Sequence, residues 1–122
     1  MVTIYGIKNC STMKKAFAWC EEHGVAYGFH DYKKQGVPRE RLLPWCRQLG
    51  WQTLVNTRGT TWRKLTAAQQ AISTEAQALA LMEEFPSLIK RPVVEASTAS
   101  GTRLLVGFDP LQFAELIEAT GQ

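Results

Sequence analysis

The first 32 residues set out a strand, a polar turn, a helix and a second strand, an order that leaves few ways to fold. Residues 2–7 are rich in β-branched and aromatic side chains, with Gly6 as punctuation, as a short strand requires. A polar turn follows, Lys8-Asn9-Cys10-Ser11-Thr12. Met13, Ala16, Phe17 and Cys20 then recur at i, i+3, i+4 and i+7, which is one apolar stripe of a helix. Gly24 sits where a glycine would end that helix. Residues 25–32 alternate, with Val25, Tyr27, Phe29 and Asp31 on one side, and predict a second strand. Two strands joined by a helical crossover pair in parallel. The chain is thereby committed to an α/β fold.

The remainder extends this unit. Pro38 suits the first turn of a helix that closes near Gly50. Pro44 falls inside that helix and is expected to kink or shorten it, because it removes a backbone donor. Thr66-x-x-Gln69 and Thr74-x-x-Gln77 both match the capping box, and the second opens a helix stopped by Pro86. Residues from Pro92 and residues 102–106 predict two more strands, with a Ser/Thr/Gly-rich hairpin loop over 97–101. Pro110 opens a last helix. The order gives a four-stranded mixed sheet with helices on its faces.

At 122 residues the chain suits a single domain, 1–122. Leu, Ile, Val and Phe supply 29 of those residues, enough apolar content to set disorder aside. No apolar run approaches the roughly 20 residues that span a bilayer. The N-terminus lacks a basic n-region and an apolar h-region, so a cytoplasmic protein without membrane contact is expected. Three cysteines, an odd number at irregular positions, read as free thiols in a reducing compartment. His23 and His30 stand apart from any cysteine pair, so no metal site is expected.

Charge is uneven. Residues 1–64 carry eleven Lys/Arg and four Asp/Glu, whereas residues 65–122 carry three and seven. Such asymmetry marks either an anion site on the first half or solvated surface, and on charge alone the latter is preferred. Four tryptophans, Trp19, Trp45, Trp51 and Trp62, form no regular stacking array, and no nucleic-acid-binding motif is seen. Nucleic acid is therefore not an expected partner.

Cys10 is the sharpest candidate for chemistry. It follows a strand and precedes a helix, so its sulfur faces unpaired helix amides and the positive end of the helix dipole. Lys8, Lys14 and Lys15 act in the same direction. The thiolate is the nucleophilic form, and this is how a reactive cysteine is made. Cys20 lies on the apolar helix stripe, about 15 Å of rise from Cys10, beyond the roughly 7 Å Cα separation a disulfide tolerates. Cys46 sits among core-like helical residues. Both read as structural.

Tyr5-Gly-Ile-Lys-Asn-Cys10-Ser-Thr-Met-Lys-Lys-Ala16 resembles the opening of the ArsC (arsenate reductase)/Spx family, in its YffB-like branch. The resemblance continues in order through His30-Asp-Tyr-Lys33, Asn56-Thr-Arg58-Gly-Thr-Thr, Arg63-Lys-Leu65, Pro86-Ser-Leu-Ile-Lys-Arg-Pro92 and Leu105-Val-Gly-Phe108. It implies a thioredoxin-like fold of the glutaredoxin type, with a helical insertion at about 36–86 between the two strand pairs. It also implies that Cys10 is the redox cysteine, that Arg58 and Arg91 bind an oxyanion or carboxylate, and that Pro92 is a cis proline facing the cysteine. Ser11, Thr12 and Lys14 complete the expected substrate-binding set. Without the resemblance, Arg58 and Arg91 would read as surface ion pairs.

Two positions depart from the family pattern. Val106 occupies the place where the family's arsenate reductases carry a third oxyanion arginine, and Arg103 need not share its face. Met13 stands where related Spx-type regulators often carry the second cysteine of Cys-x-x-Cys. A lone cysteine must be resolved by an outside thiol, with glutathione the expected co-substrate. The resemblance thus implies a monomeric, monothiol, glutathione-dependent thiol-disulfide reductase acting on a thiol or oxyanion substrate. The alternatives it leaves open are a Spx-like regulator binding RNA polymerase and an arsenate reductase.

Overall fold

A computed structural model describes all 122 residues, Met1–Gln122. In chain order the elements are β1 (Val2–Gly6), α1 (Ser11–Glu22), β2 (Gly28–Asp31), α2 (Tyr32–Gln35), α3 (Arg39–Leu49), α4 (Trp51–Leu54), α5 (Thr60–Lys64), α6 (Ala67–Gln70) and α7 (Glu75–Glu84). A 3-10 turn at Pro86–Leu88, β3 (Val93–Thr98), β4 (Gly101–Val106) and α8 (Pro110–Thr120) complete the chain. Two compact units result. The first combines Met1–Gln35 with Arg91–Gln122, and the second is Gly36–Lys90, which carries the helical insertion on to Lys90.

The first unit holds the sheet, in the order β2-β1-β3-β4. β1 pairs in parallel with β2, as the helical crossover demands, and antiparallel with β3. Pairing Ile4 with Val94 and Val2 with Ala96 sets these four side chains on one face. That face is buried beneath Met13, Ala16 and Cys20 of α1 and Phe113 and Leu116 of α8. Burying an aliphatic side chain of this size is worth about 1.5–3 kcal/mol, so the stripe of α1 is held chiefly by the sheet. α8 is capped at both ends: Leu111 N–H donates to Asp109 Oδ1 at 3.0 Å, and Gly121 closes it with a left-handed φ of 81°.

Four local expectations change. The second strand is only Gly28–Asp31, because Val25 N–H donates to Cys20 C=O at 2.8 Å and spends residues 24–27 on leaving α1. Asp31 ends β2 and starts α2: its Oδ1 accepts Lys33 N–H at 2.9 Å, and its N–H donates to Gln35 Oε1 at 3.2 Å. The hairpin loop is narrower than 97–101, since the ladder runs on to Thr98 and Gly101. Pro44 does not shorten α3, which runs on to Leu49. The carbonyl that loses its donor there belongs to Glu40, an exposed residue, so water can satisfy it.

The second unit is all helical apart from one bridge, Val55 with Ile89. Leu42, Trp45, Leu54, Met82, Leu88 and Ile89 are its largest fully buried side chains. Both capping boxes form: Thr66 and Thr74 each accept an N–H three residues on, and Gln69 and Gln77 reach back to the cap. No helix is long and apolar enough to cross a membrane.

Candidate active site around Cys10

β1 ends at Gly6 and α1 begins at Ser11, so Cys10 is the N-cap residue of α1, with extended backbone (φ −141°, ψ 132°). Its carbonyl accepts Lys14 N–H at 3.0 Å, which fixes the thiol at the helix start. The side chain is half-buried. The sulfur does not meet the geometry of a full capping hydrogen bond. The N–H groups of Met13 and Thr12 are nonetheless directed at it closely enough to favour its charged form.

Burial by itself raises the Cys10 pKa. The Met13 amide, a hydrogen bond from the Arg91 side chain, the Thr12 amide and the Arg91 charge together outweigh burial and hold the thiol below its ordinary value. Cys20 and Cys46 go the other way. Burial, with Glu21 beside the first and Glu75 beside the second, pushes each up to about 11. Of the three cysteines, only Cys10 is poised as a thiolate.

Strand register brings Arg91 to this point. Tyr5 pairs with Val93, so Arg91 and Pro92 lie just past the end of β1, where the chain turns toward Cys10. The Arg91–Pro92 peptide is cis. Pro92 is buried, and its carbonyl accepts Gly107 N–H at 2.8 Å, tying it to the exit of β4. Gly6 marks where these parts converge: a Cβ built there would lie 2.5 Å from Met13 Sδ and 3.6 Å from Arg91 Cγ.

Cys10, Ser11, Thr12, Lys14, Arg91 and Pro92 all belong to the first unit. Ser11 and Lys14 are exposed on the first turn of α1. Arg58 belongs to the second unit, exposed on a turn where its N–H donates to Asn56 Oδ1 at 3.0 Å and its carbonyl accepts Arg63 Nη2 at 3.1 Å. Val106 pairs with Val93 beside Pro92, whereas Arg103 pairs with Ala96. Three residues apart on one strand, they face opposite sides of the sheet. Arg103 therefore does not replace an arginine at position 106.

One neighbour of the site escaped sequence reading. Tyr32 is buried, and its hydroxyl has no hydrogen-bond partner. Burial and the nearby Tyr5 raise its pKa, while the Arg91 charge pulls the other way, which places the phenol within electrostatic reach of the arginine. The signal was Asp31, a capping residue directly before Tyr32. No group of three or more His, Cys, Asp or Glu side chains is placed to hold a metal ion.

A four-stranded mixed sheet with a thiolate-favouring cysteine at the start of its first helix defines a thioredoxin-like α/β protein of the glutaredoxin type. More narrowly, the chain belongs to the ArsC family, whose model matches residues 5–116. It is similar to the solved structure of the YffB protein, with 53% identity and a TM-score of 0.87 over 95% of this chain and 98% of that one. An arsenate reductase (ArsC) related protein from Brucella melitensis is 46% identical, with a TM-score of 0.71 over 96% of this chain and 94% of that one. The global transcriptional regulator Spx of Streptococcus pneumoniae is 28% identical over 111 residues, covering 89% of this chain and 80% of that protein.

Proposed function

We propose that the protein is a monothiol, glutathione-dependent thiol-disulfide reductase. The observation that carries this reading is the Cys10 sulfur, favoured as a thiolate by the Met13 and Thr12 amides and by Arg91. The thiolate attacks one sulfur of a disulfide. A Cys10–S–S–R bond forms as the old S–S bond breaks, and its electron pair leaves with the released thiolate. A second thiol, glutathione, then attacks the mixed disulfide and restores Cys10. Arg91 steadies the thiolate both as attacking and as leaving group, and its planar fork suits a carboxylate of the incoming thiol. Cys20 and Cys46 are buried and hold their protons, so neither supplies an internal resolving thiolate.

Intact mass after treatment with oxidised glutathione tests this reading. A gain of one glutathionyl group, mapped to Cys10 and removed by added glutathione, is expected. A loss of two hydrogens with a peptide linking Cys10 to Cys20 or Cys46 refutes the monothiol cycle.

A regulator reading, with RNA polymerase as partner, draws on the Spx relative. Capture of RNA polymerase by a Cys10→Ser variant, together with no thiol turnover by the wild type, favours it. Val106 supplies no charge where an arsenate site calls for one, so arsenate is not the proposed substrate.

A further inference from the structure

A pocket of about 290 Å³ opens beside Cys10, lined by Lys8, Asn9, Lys14, Phe17, Tyr27 and Phe29. Lys8 and Asn9 are the two residues before the cysteine, and the Lys14 amide is bonded to the Cys10 carbonyl, so the lysine end of the pocket borders the Cys10 backbone. The wall is aromatic. Phe17 stacks on Tyr27 with centroids 5.5 Å apart and meets Phe29 edge-on at 5.0 Å. All three rings stay half-buried where α1 meets the edge strand β2.

Charge gives the pocket a direction. Two lysines line it and no carboxylate does. Glu21 stands at the other side, accepting the Tyr27 hydroxyl at 3.4 Å. A negative group is thus drawn to the lysine end, on the Cys10 side, and repelled from the Tyr27 end. The volume lies at the small end of ligand sites, which run roughly 300–1,000 Å³, and suits one aromatic ring rather than a peptide. Glutathione carries carboxylates but no apolar body, so the pocket does not match the resolving thiol.

Resting on the thiol-disulfide reading, we infer that the substrate is a small disulfide whose non-reacting arm is an aromatic-sized apolar body bearing a carboxylate, seated between α1 and β2. Exchange conserves electrons: Cys10 thiolate bonds to one sulfur, the aromatic acid leaves as its thiolate, and a solution thiol completes the reduction.

Rates of exchange with 5,5′-dithiobis(2-nitrobenzoate) and with bis(2-hydroxyethyl) disulfide, taken as a ratio, test the inference. A change in thiolate reactivity moves both rates and leaves the ratio, whereas a change of charge near Cys10 also slows the dianionic reagent. Lys15→Glu, exposed on the first turns of α1 but outside the pocket, controls for that. It should lower the ratio less than Lys8→Glu, and an equal fall overturns the pocket. Lys8→Glu, at an exposed position, and Tyr27→Ala are each expected to lower the ratio about fivefold, the change that about 1 kcal/mol of binding gives. In Cys10→Ser protein, 2-naphthoate should shift the amide resonances of Lys8, Asn9 and Lys14 more than neutral 2-naphthalenemethanol does. Exchange with both disulfides at a ratio the variants leave unchanged overturns the pocket while the reductase reading stands. Exchange with neither sinks the reductase reading, and the substrate assignment with it.

Discussion

Replacing Gly6 by alanine tests how the end of β1 is built into the site. The new Cβ would lie 2.5 Å from Sδ and 2.8 Å from Cε of Met13, about 1 Å inside the separation at which such atoms attract best. Met13 is fully buried beneath α1, so its thioether cannot swing into solvent. Overpacking of this kind costs typically 1–3 kcal/mol. Methionine has three rotatable bonds and adapts better than a branched side chain, which places the expected loss at about 1–2 kcal/mol, or a melting-point drop of about 4–8 °C for a chain of this size. Urea denaturation of wild type, Gly6→Ala, Met13→Ala and the double variant closes the cycle. Met13→Ala alone should cost about 2–5 kcal/mol. In its background the alanine at position 6 enters vacated space and should cost almost nothing, giving a coupling of about 1–2 kcal/mol. An equal cost of Gly6→Ala in both backgrounds would show that the thioether is not why this position needs glycine.

The cysteines carry two further predictions. Arg91→Leu removes both the hydrogen bond and the charge that favour the Cys10 thiolate, so alkylation of Cys10 at pH 7 should slow while Cys20 and Cys46 stay slow. An unchanged Cys10 rate would mean that the helix amides act alone. Cys20 and Cys46 keep their protons in the folded state up to about pH 11, whereas an unfolded thiol loses its proton near 8.5. Unfolding therefore releases protons between about pH 9 and 11, and stability should fall as pH rises through that window. Cys20→Ala and Cys46→Ala should each flatten the fall in urea midpoint, and a wild-type midpoint constant across the window would show that these thiols are open to water.

How much of this was legible in the sequence follows from how local each feature is. Cys10 announced itself because strand, turn and helix are contiguous, so one unbroken stretch of sequence suffices to place a thiol at a helix start. The two threonine caps were legible for the same reason. Arg91 was visible only through family resemblance, because its contact with Cys10 depends on β3 pairing with β1, a register that composition does not specify. α2 was missed because Asp31 also fitted the alternation of the strand before it, and the competing capping role won. The aromatic wall was half legible. Tyr27 and Phe29 were read as one side of a strand, but Tyr27 lies in the turn leading to β2, and only packing against Phe17 turns these residues into a pocket.

Cys10 and the arginine beside it belong to one compact unit, yet the chain leaves that unit at Gln35 and returns to it at Arg91. During synthesis the thiol emerges first, on a strand whose antiparallel partner does not yet exist. Pairing of β1 with β3 must wait until the whole intervening segment has been made and its ends brought together, a closure whose entropic cost grows only slowly with length but which delays the contact. Until then the sulfur lacks its guanidinium and behaves more like an ordinary cysteine. The arginine's share of the lowered pKa at position 10 is thus acquired only by the finished chain, and a fragment ending before Arg91 would keep the Met13 and Thr12 amides but lack it.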